Sequence, residues 1–361
     1  MKFLLSALLA LVLCLGTAKA IDQELTKQQN EAYGMNEVLD KAPSEIKRET
    51  SLDEGLAGLG KRLTGEFGEV FRRGVKCIAL VLAISVLCAV VGSLYNATDS
   101  REPMYLPIVG ALAVMGAAAG SINSVIGMGR ASIEQLNAFS KVLLPSLMTA
   151  SAATGVPLAA TAQYSATILF SDLLMTVITN VLFPLVYAYL AAATANAAIG
   201  NDSMGRIADF FRWIASSCLK IFLMVFVGYL TMSGLIASRT DLVGTKTAKF
   251  AISGVVPVVG SILADATETV VAGAMVVKNS IGVVGMLTIL SICLTPFLVL
   301  AVNYFLFKAA AALSAPMCEP RLGKLVDQIG GGFGLVLGMT GAAALLLFIS
   351  IVSSLFVVGA V

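Results

Sequence analysis

Apolar stretches recur along the chain at about 75–95, 105–127, 142–163, 166–194, 213–237, 252–277, 281–307 and 333–360. Each is long enough to cross roughly 30 Å of hydrocarbon as a helix. Short polar breaks separate them. The pattern predicts an all-α, polytopic membrane helix bundle of about 6–8 transmembrane segments, some of them broken or re-entrant.

The N-terminus follows a different pattern. "MKFLLSALLALVLCLGTAKA" has a basic start at Lys2, a short apolar run and the A-x-A signature Ala18-Lys19-Ala20. It predicts a signal peptide over 1–20, so that the mature chain begins near Ile21 outside the cytoplasm. Residues 21–74 are polar and predict an extracytoplasmic, amphipathic-helical region. Ser51-Leu52-Asp53-Glu54 reads as a capping box. Leu52, Leu56, Leu59, Leu63, Phe67 and Val70 then share one face of a helix that continues into the first span. That face predicts contact with the membrane surface or with a partner helix. Residues 75–138 then predict an N-terminal transmembrane hairpin.

The later runs carry an internal echo. Pro145 and Pro184 stand as far apart as Pro257 and Pro296, and Thr176 and Thr288 each precede the second proline by the same interval. "GRIAD" (Gly205 to Asp209) echoes "GKLVD" (Gly323 to Asp327). These matches suggest a duplication into units 139–237 and 250–361, with chance likeness between apolar helices as the competing explanation. The matched segments are the irregular ones. Pro145, Gly155 and Pro157 interrupt the first, and Gly254, Pro257 and Gly260 the second. Broken hydrophobic segments at corresponding places in two halves point to a substrate or pore site.

The second broken segment also carries Asp265 and Glu268, three residues apart and therefore on one helical face. Two acids at the centre of a span cost about 5–7 kcal/mol on the insertion scale, and the Val, Ile and Leu residues return about 3–7. Residues 252–277 are therefore marginal as a lone span and need neighbouring helices, a re-entrant path or an insertase. The acids are candidates for a channel lining, an ion site or a proton site. The bland alternatives are acids that meet water, or structural partners of Lys278 or Lys249 of a neighbour. Asp172, near the start of another run, reads as a helix-end acid in water. Gly116/Gly120 and Gly334/Gly338 are GxxxG pairs, read as close helix packing.

Two topologies fit. If all eight runs cross, both ends of the mature chain lie outside and the two units are inverted. If 142–163 and 252–277 are re-entrant, six spans remain and the units are parallel.

Composition narrows the chemistry. Of 361 residues, 58% are hydrophobic and 13% charged, and the net charge is +2. The mean hydropathy is +0.90. Basic residues form no patch for nucleic acid. Histidine is absent, which removes Ser-His and Cys-His pairs, imidazole metal sites and histidine proton relays. No metal or cofactor is expected. The six cysteines form no CxxC pair, and Cys77, Cys88, Cys218 and Cys293 fall in apolar runs as buried free thiols. "GLAGLGK" (Gly55 to Lys61) has the spacing of a phosphate loop. Arg62 stands where Ser or Thr would bind Mg²⁺, and no strand precedes it, so nucleotide binding is not expected.

Between Lys246 and Gly285 the chain reads T-A-K-F, P-V-V-G, D-A-T-E-T-V and K-N-S-x-G. In that order and spacing it resembles the stage III sporulation protein AE family. The signal peptide, short ectodomain and multispan body agree over essentially the whole chain. The resemblance implies a multi-pass protein of the mother-cell membrane around the forespore, and a non-enzymatic subunit of a transenvelope channel needed after engulfment. It implies as partners the other stage III A membrane proteins and their ATPase, the forespore Q protein and a YidC-type insertase, within the lipid bilayer. Self-association is left open. It carries over no catalytic residue. The alternative is a secondary transporter for a small solute that uses Asp265 and Glu268 for ion coupling. An intramembrane aspartyl protease fits poorly, because its two acids belong on separate spans.

Overall fold

The computed structural model describes residues 38, 40–42, 52–97, 105–154, 157–200, 202–255, 259–316 and 318–356. Over 233–255 and 259–271 only the backbone is described. The stretch expected to be a signal peptide and most of residues 21–51 lie outside these residues. Among the described residues the fold is all-α, as the apolar runs predict. Its helices are α1 (Leu52–Ala97), α2 (Leu106–Ala153), α3 (Pro157–Val177), α4 (Phe183–Ile199), α5 (Asp202–Val255), α6 (Val259–Ser314) and α7 (Pro320–Phe356). A π-helical turn, Ile178–Leu182, joins α3 to α4. Among the described residues, six helical stretches are long and apolar enough to cross a membrane, α3 and α4 counting as one.

The helix ends follow local chemistry. α1 begins one residue after Ser51, with Asp53 and Glu54 in its first turn, where carboxylates favour the positive end of the helix dipole. α2 ends at Thr154, whose hydroxyl and backbone N–H both donate to the Ser151 carbonyl, at 2.7 and 3.1 Å. α4 ends at Gly200, which is left-handed at φ 71° and donates its N–H to the Asn196 carbonyl. The Arg321 guanidinium occupies the space a Cβ would need there, so glycine meets both a conformational and a steric demand.

Two helical hairpins follow α2, and the α6–α7 pair is the more buried. α6 and α7 pack antiparallel: Gly285 meets Ile351 at one end and Gly330 meets Phe307 at the other. Gly330 brings the backbones together, with a Cβ there lying 3.5 Å from the Lys308 nitrogen and 3.6 Å from the Tyr304 oxygen. α5 runs antiparallel to the α3–α4 pair, with Gly205 beside Asn196 and Phe170 edge-on to Phe222 and tilted against Phe226 and Tyr229. The Thr167–Ser350 hydrogen bond (3.0 Å) and the bond from Tyr189 Oη to the Gln328 carbonyl (2.8 Å) set α3–α4 antiparallel to α7. The two hairpins therefore run in the same sense.

The breaks fall where the sequence placed irregularity, but they divide the runs. Run 142–163 contains the end of α2 and the start of α3. Run 252–277 contains the end of α5 and the start of α6. Neither is a single crossing helix, and the eight-crossing arrangement is not what the described backbone adopts. Pro145 lies inside α2 and does not end it. Nearly all of run 105–127 and the first part of run 142–163 share that one helix of 48 residues.

One proline interrupts the first arm of each hairpin, and the two are accommodated differently. Pro184 follows the π-turn, which widens the helix where the ring would clash. Pro296 lies inside α6 and leaves the Ile292 carbonyl without its helical donor. Ser132 Oγ of α2 donates to that carbonyl at 3.4 Å, the kind of neighbour repair that allows proline within a membrane helix.

Gly334 packs against the Tyr304 ring, in line with the close-packing reading. A Cβ at Gly116 or Gly120 would meet nothing within 4 Å among the described residues, so the close-packing reading finds no support there for that pair.

Candidate functional site

Three of the predicted break residues fall at helix ends, and Pro145 lies within α2. Pro157 is the first residue of α3, Gly254 the last but one of α5 and Gly260 the second of α6. Pro257 lies outside the described residues. Asp265 and Glu268 lie on α6, in its backbone-only portion, so their surroundings fall outside the described residues. The continuity of α6 does separate them from Lys278 of the same helix. At 1.5 Å per residue, Lys278 is about 15 Å along the axis from Glu268, beyond the reach of a direct pair.

Lys278 is the residue that sequence reasoning undervalued. It is 1% exposed and takes part in none of the ion pairs among the described residues. A buried cation in an apolar bundle is costly. The K-N-S-x-G motif contained it, but nothing in that spacing signals burial.

Charged groups also lie on the outside of the bundle, level with its apolar core. α1 packs on α6 in parallel: Gly55 meets Leu287, Thr295 donates to Glu66 at 2.8 Å, and Gly74 meets Leu306. The contact face of α1 therefore includes Gly55, Leu59, Glu66 and Gly74, whereas Leu56 and Phe67 of the predicted stripe are exposed. The amphipathic helix does pack on a partner helix, but its small and polar residues take part. Glycine permits that close approach, and Arg62 binds Glu66 at 3.0 Å beside it.

α2 runs antiparallel to α6, with Gly129 against Leu300 and Val336, and Leu143 against Gly285. Arg130 and Glu134 pair at 3.0 Å. Lys141 pairs with Asp172 of α3 at 3.6 Å. Asp172 is thus a mid-helix acid with a partner, not a helix-end acid.

Other features are structural. Lys308 binds Asp327 of the "GKLVD" stretch at 2.6 Å and closes the α6–α7 hairpin. The described cysteines are free thiols. Burial pushes the Cys318 thiol up, with the neighbouring Cys88 adding to the shift, which disfavours the reactive thiolate. A cavity of about 500 Å³ between α2 and α4 is lined mainly by apolar residues such as Leu112, Ile122 and Leu190, and no acid or base lines it. No group of three or more potential metal-ligating acids, cysteines or histidines occurs among the described residues.

The arrangement is that of a multi-helix membrane bundle with charged side chains both inside it and along its flank. The chain belongs to the stage III sporulation protein AE family, whose family model it matches over residues 40–357. It is similar to the stage III sporulation protein AE of Bacillus subtilis (strain 168), 24% identical over 288 residues, covering 79% of this chain and 71% of that protein. No solved structure matches. The chain thus stands among the stage III sporulation proteins, as its central motifs imply.

Proposed function

We propose that this chain is a non-enzymatic membrane subunit of the sporulation channel complex that links mother cell and forespore, required for forespore development after engulfment. It resides in the mother-cell membrane around the forespore with its N-terminal region extracytoplasmic. Its partners are the other stage III A membrane proteins and their ATPase, the forespore Q protein and a YidC-type insertase.

The observation that carries this reading is the axial offset of two apolar belts. α6 and α7 are free of Asp, Glu, Lys and Arg over 279–307 and 328–352. The strongest apolar stretches of α1 and α2, about 75–95 and 105–127, lie at a different level. Gly110 meets Cys88 and Leu322, so these stretches stand beside the charged start of α7, with Arg321, Lys324 and Asp327. One hydrocarbon layer of about 30 Å cannot cover both belts. Exposed Leu80, Leu87, Leu94 and Leu112 at one level, and exposed charges at the other, need protein partners. A complex supplies them, and a lone permease does not.

The competing transporter reading rests on Asp265 and Glu268. Purified full-length chain in sealed liposomes, given proton or sodium gradients, separates the two. The channel-subunit reading predicts no gradient-driven uptake of amino acids, sugars or phosphate. Uptake that requires a gradient and is lost in D265N/E268Q would replace it with the transporter reading.

A further inference from the structure

We propose that Arg130, Glu134 and Lys141 of α2, together with Asp172 of α3, line a water-filled passage at membrane depth, closed by the same face of further copies of this chain. The proposal rests on the channel-subunit reading and says which surface meets the water.

The depth of this stripe follows from its contacts. The α6–α7 hairpin is the most buried pair of candidate spans, and its charge-free belt marks where hydrocarbon can lie. A span of about 20 residues placed anywhere within 279–307 of α6 includes 288–298. α2 crosses that interval in the opposite direction: Leu143 packs on Gly285, Ser132 reaches the Ile292 carbonyl and Gly129 packs on Leu300. Glu134 therefore sits beside the middle of the span, with Arg130 and Lys141 near its two limits. The Thr167–Ser350 contact places Asp172, little more than a turn further along α3, inside the charge-free belt of α7 as well.

The stripe faces outward. Buried Ser132, Ile133, Leu136, Phe139, Ser140 and Leu143 form the inner face of α2, and Arg130, Glu134 and Lys141 recur at helical spacing on the opposite side. The side chains of Arg130 and Glu134 are 56% and 57% exposed, and those of Lys141 and Asp172 60% and 57%. Hydrocarbon does not solvate such groups, and backbone or charge at membrane depth persists where it lines a water-filled cavity. Each pair closes within one chain and remains half exposed, and water held between copies of the chain would satisfy the open sides.

Two cations and two anions alternate along the face. It carries no net charge, so copies can stand around one passage without mutual repulsion, and hydrated solutes of either sign can pass. Leu169 and Leu173, 71% and 55% exposed on either side of Asp172, mark the edge where the wall turns towards lipid.

The test uses full-length chain, with native cysteines replaced, in membranes of sporulating cells that hold its partners. Ala131 and Ala138 are exposed on the same face of α2 and carry no charge, so A131C and A138C probe it without breaking an ion pair. L173C and L345C are the lipid controls. A membrane-impermeant cationic methanethiosulfonate should label 131 and 138 at least tenfold faster than 173 and 345. Equal, slow labelling at all four positions means the stripe is dry and overturns the proposal. Equal, fast labelling at all four puts this level outside the bilayer and overturns it too. A dry stripe in cells that still sporulate leaves the channel-subunit reading standing, whereas gradient-driven uptake by the chain alone removes that reading whatever the labelling shows.

Discussion

The α6–α7 hairpin and the α1–α2 hairpin each carry stretches apolar enough to cross a membrane, yet they place them differently. In α6–α7 the apolar belts of both helices lie side by side, glycines bring the backbones together, and the Lys308–Asp327 pair closes the end. In α1–α2 the apolar halves pack together at one level, while the charged halves of both helices lie against α6 at another. The difference shows that hydropathy sets which segments avoid water and contacts set where they sit. A helix of 46 or 48 residues is about 70 Å long, more than twice the hydrocarbon thickness. Only packing decides which part of it lies at membrane depth.

The largest expected effect comes from forcing the close pair apart. Gly330→Leu places a side chain against the Phe307 Cβ and the α6 backbone. It should cost about 3 kcal/mol and strongly reduce chain recovered from the membrane fraction. A variant that accumulates and melts like the parent in detergent would show that this approach does not hold the hairpin.

A smaller effect is expected where α2 repairs α6. Ser132→Ala removes the donor to the Ile292 carbonyl and should cost about 0.5–1 kcal/mol. Replacing the proline restores the helical donor, so Ser132→Ala should cost nothing measurable in a Pro296→Ala background. Thermal melts of the four combinations read the coupling, and equal costs in both backgrounds would deny the repair.

The smallest effect is expected on the flank. K141M/D172L removes an exposed ion pair. If that face is hydrated, stability should change by less than about 1 kcal/mol. Marked stabilisation in the bilayer would mean that lipid had been touching the charges, and the contrast between the two hairpins would lose its basis.

Much of the fold was legible in the sequence. α1 begins at Leu52, within the stretch Ser51-Leu52-Asp53-Glu54, α3 begins at Pro157, and Gly254 and Gly260 lie at the adjoining ends of α5 and α6, whereas Pro145, read as a break, lies within α2. The stretch 128–141 was not legible as part of a continuous helix. Its drop in hydropathy suggests a gap between spans, but it contains no Gly or Pro after Gly129, and Arg130–Glu134 supports the helix at i,i+4 spacing. The site was less legible. Asp265 and Glu268 stood out because they interrupt an apolar run, whereas Lys278 and Asp172 depend on what packs around them. Burial of Lys278 and the approach of Lys141 to Asp172 are tertiary facts that no local spacing encodes.

The most direct test of the central claim is solute exchange between the two compartments after engulfment. A small soluble dye is bleached in the forespore of a host that depends on this chain, and its recovery from the mother cell is followed. Recovery should be lost when this chain is removed and return when it is supplied again, with the remaining membrane subunits still present. Recovery that proceeds unchanged without the chain would contradict that claim.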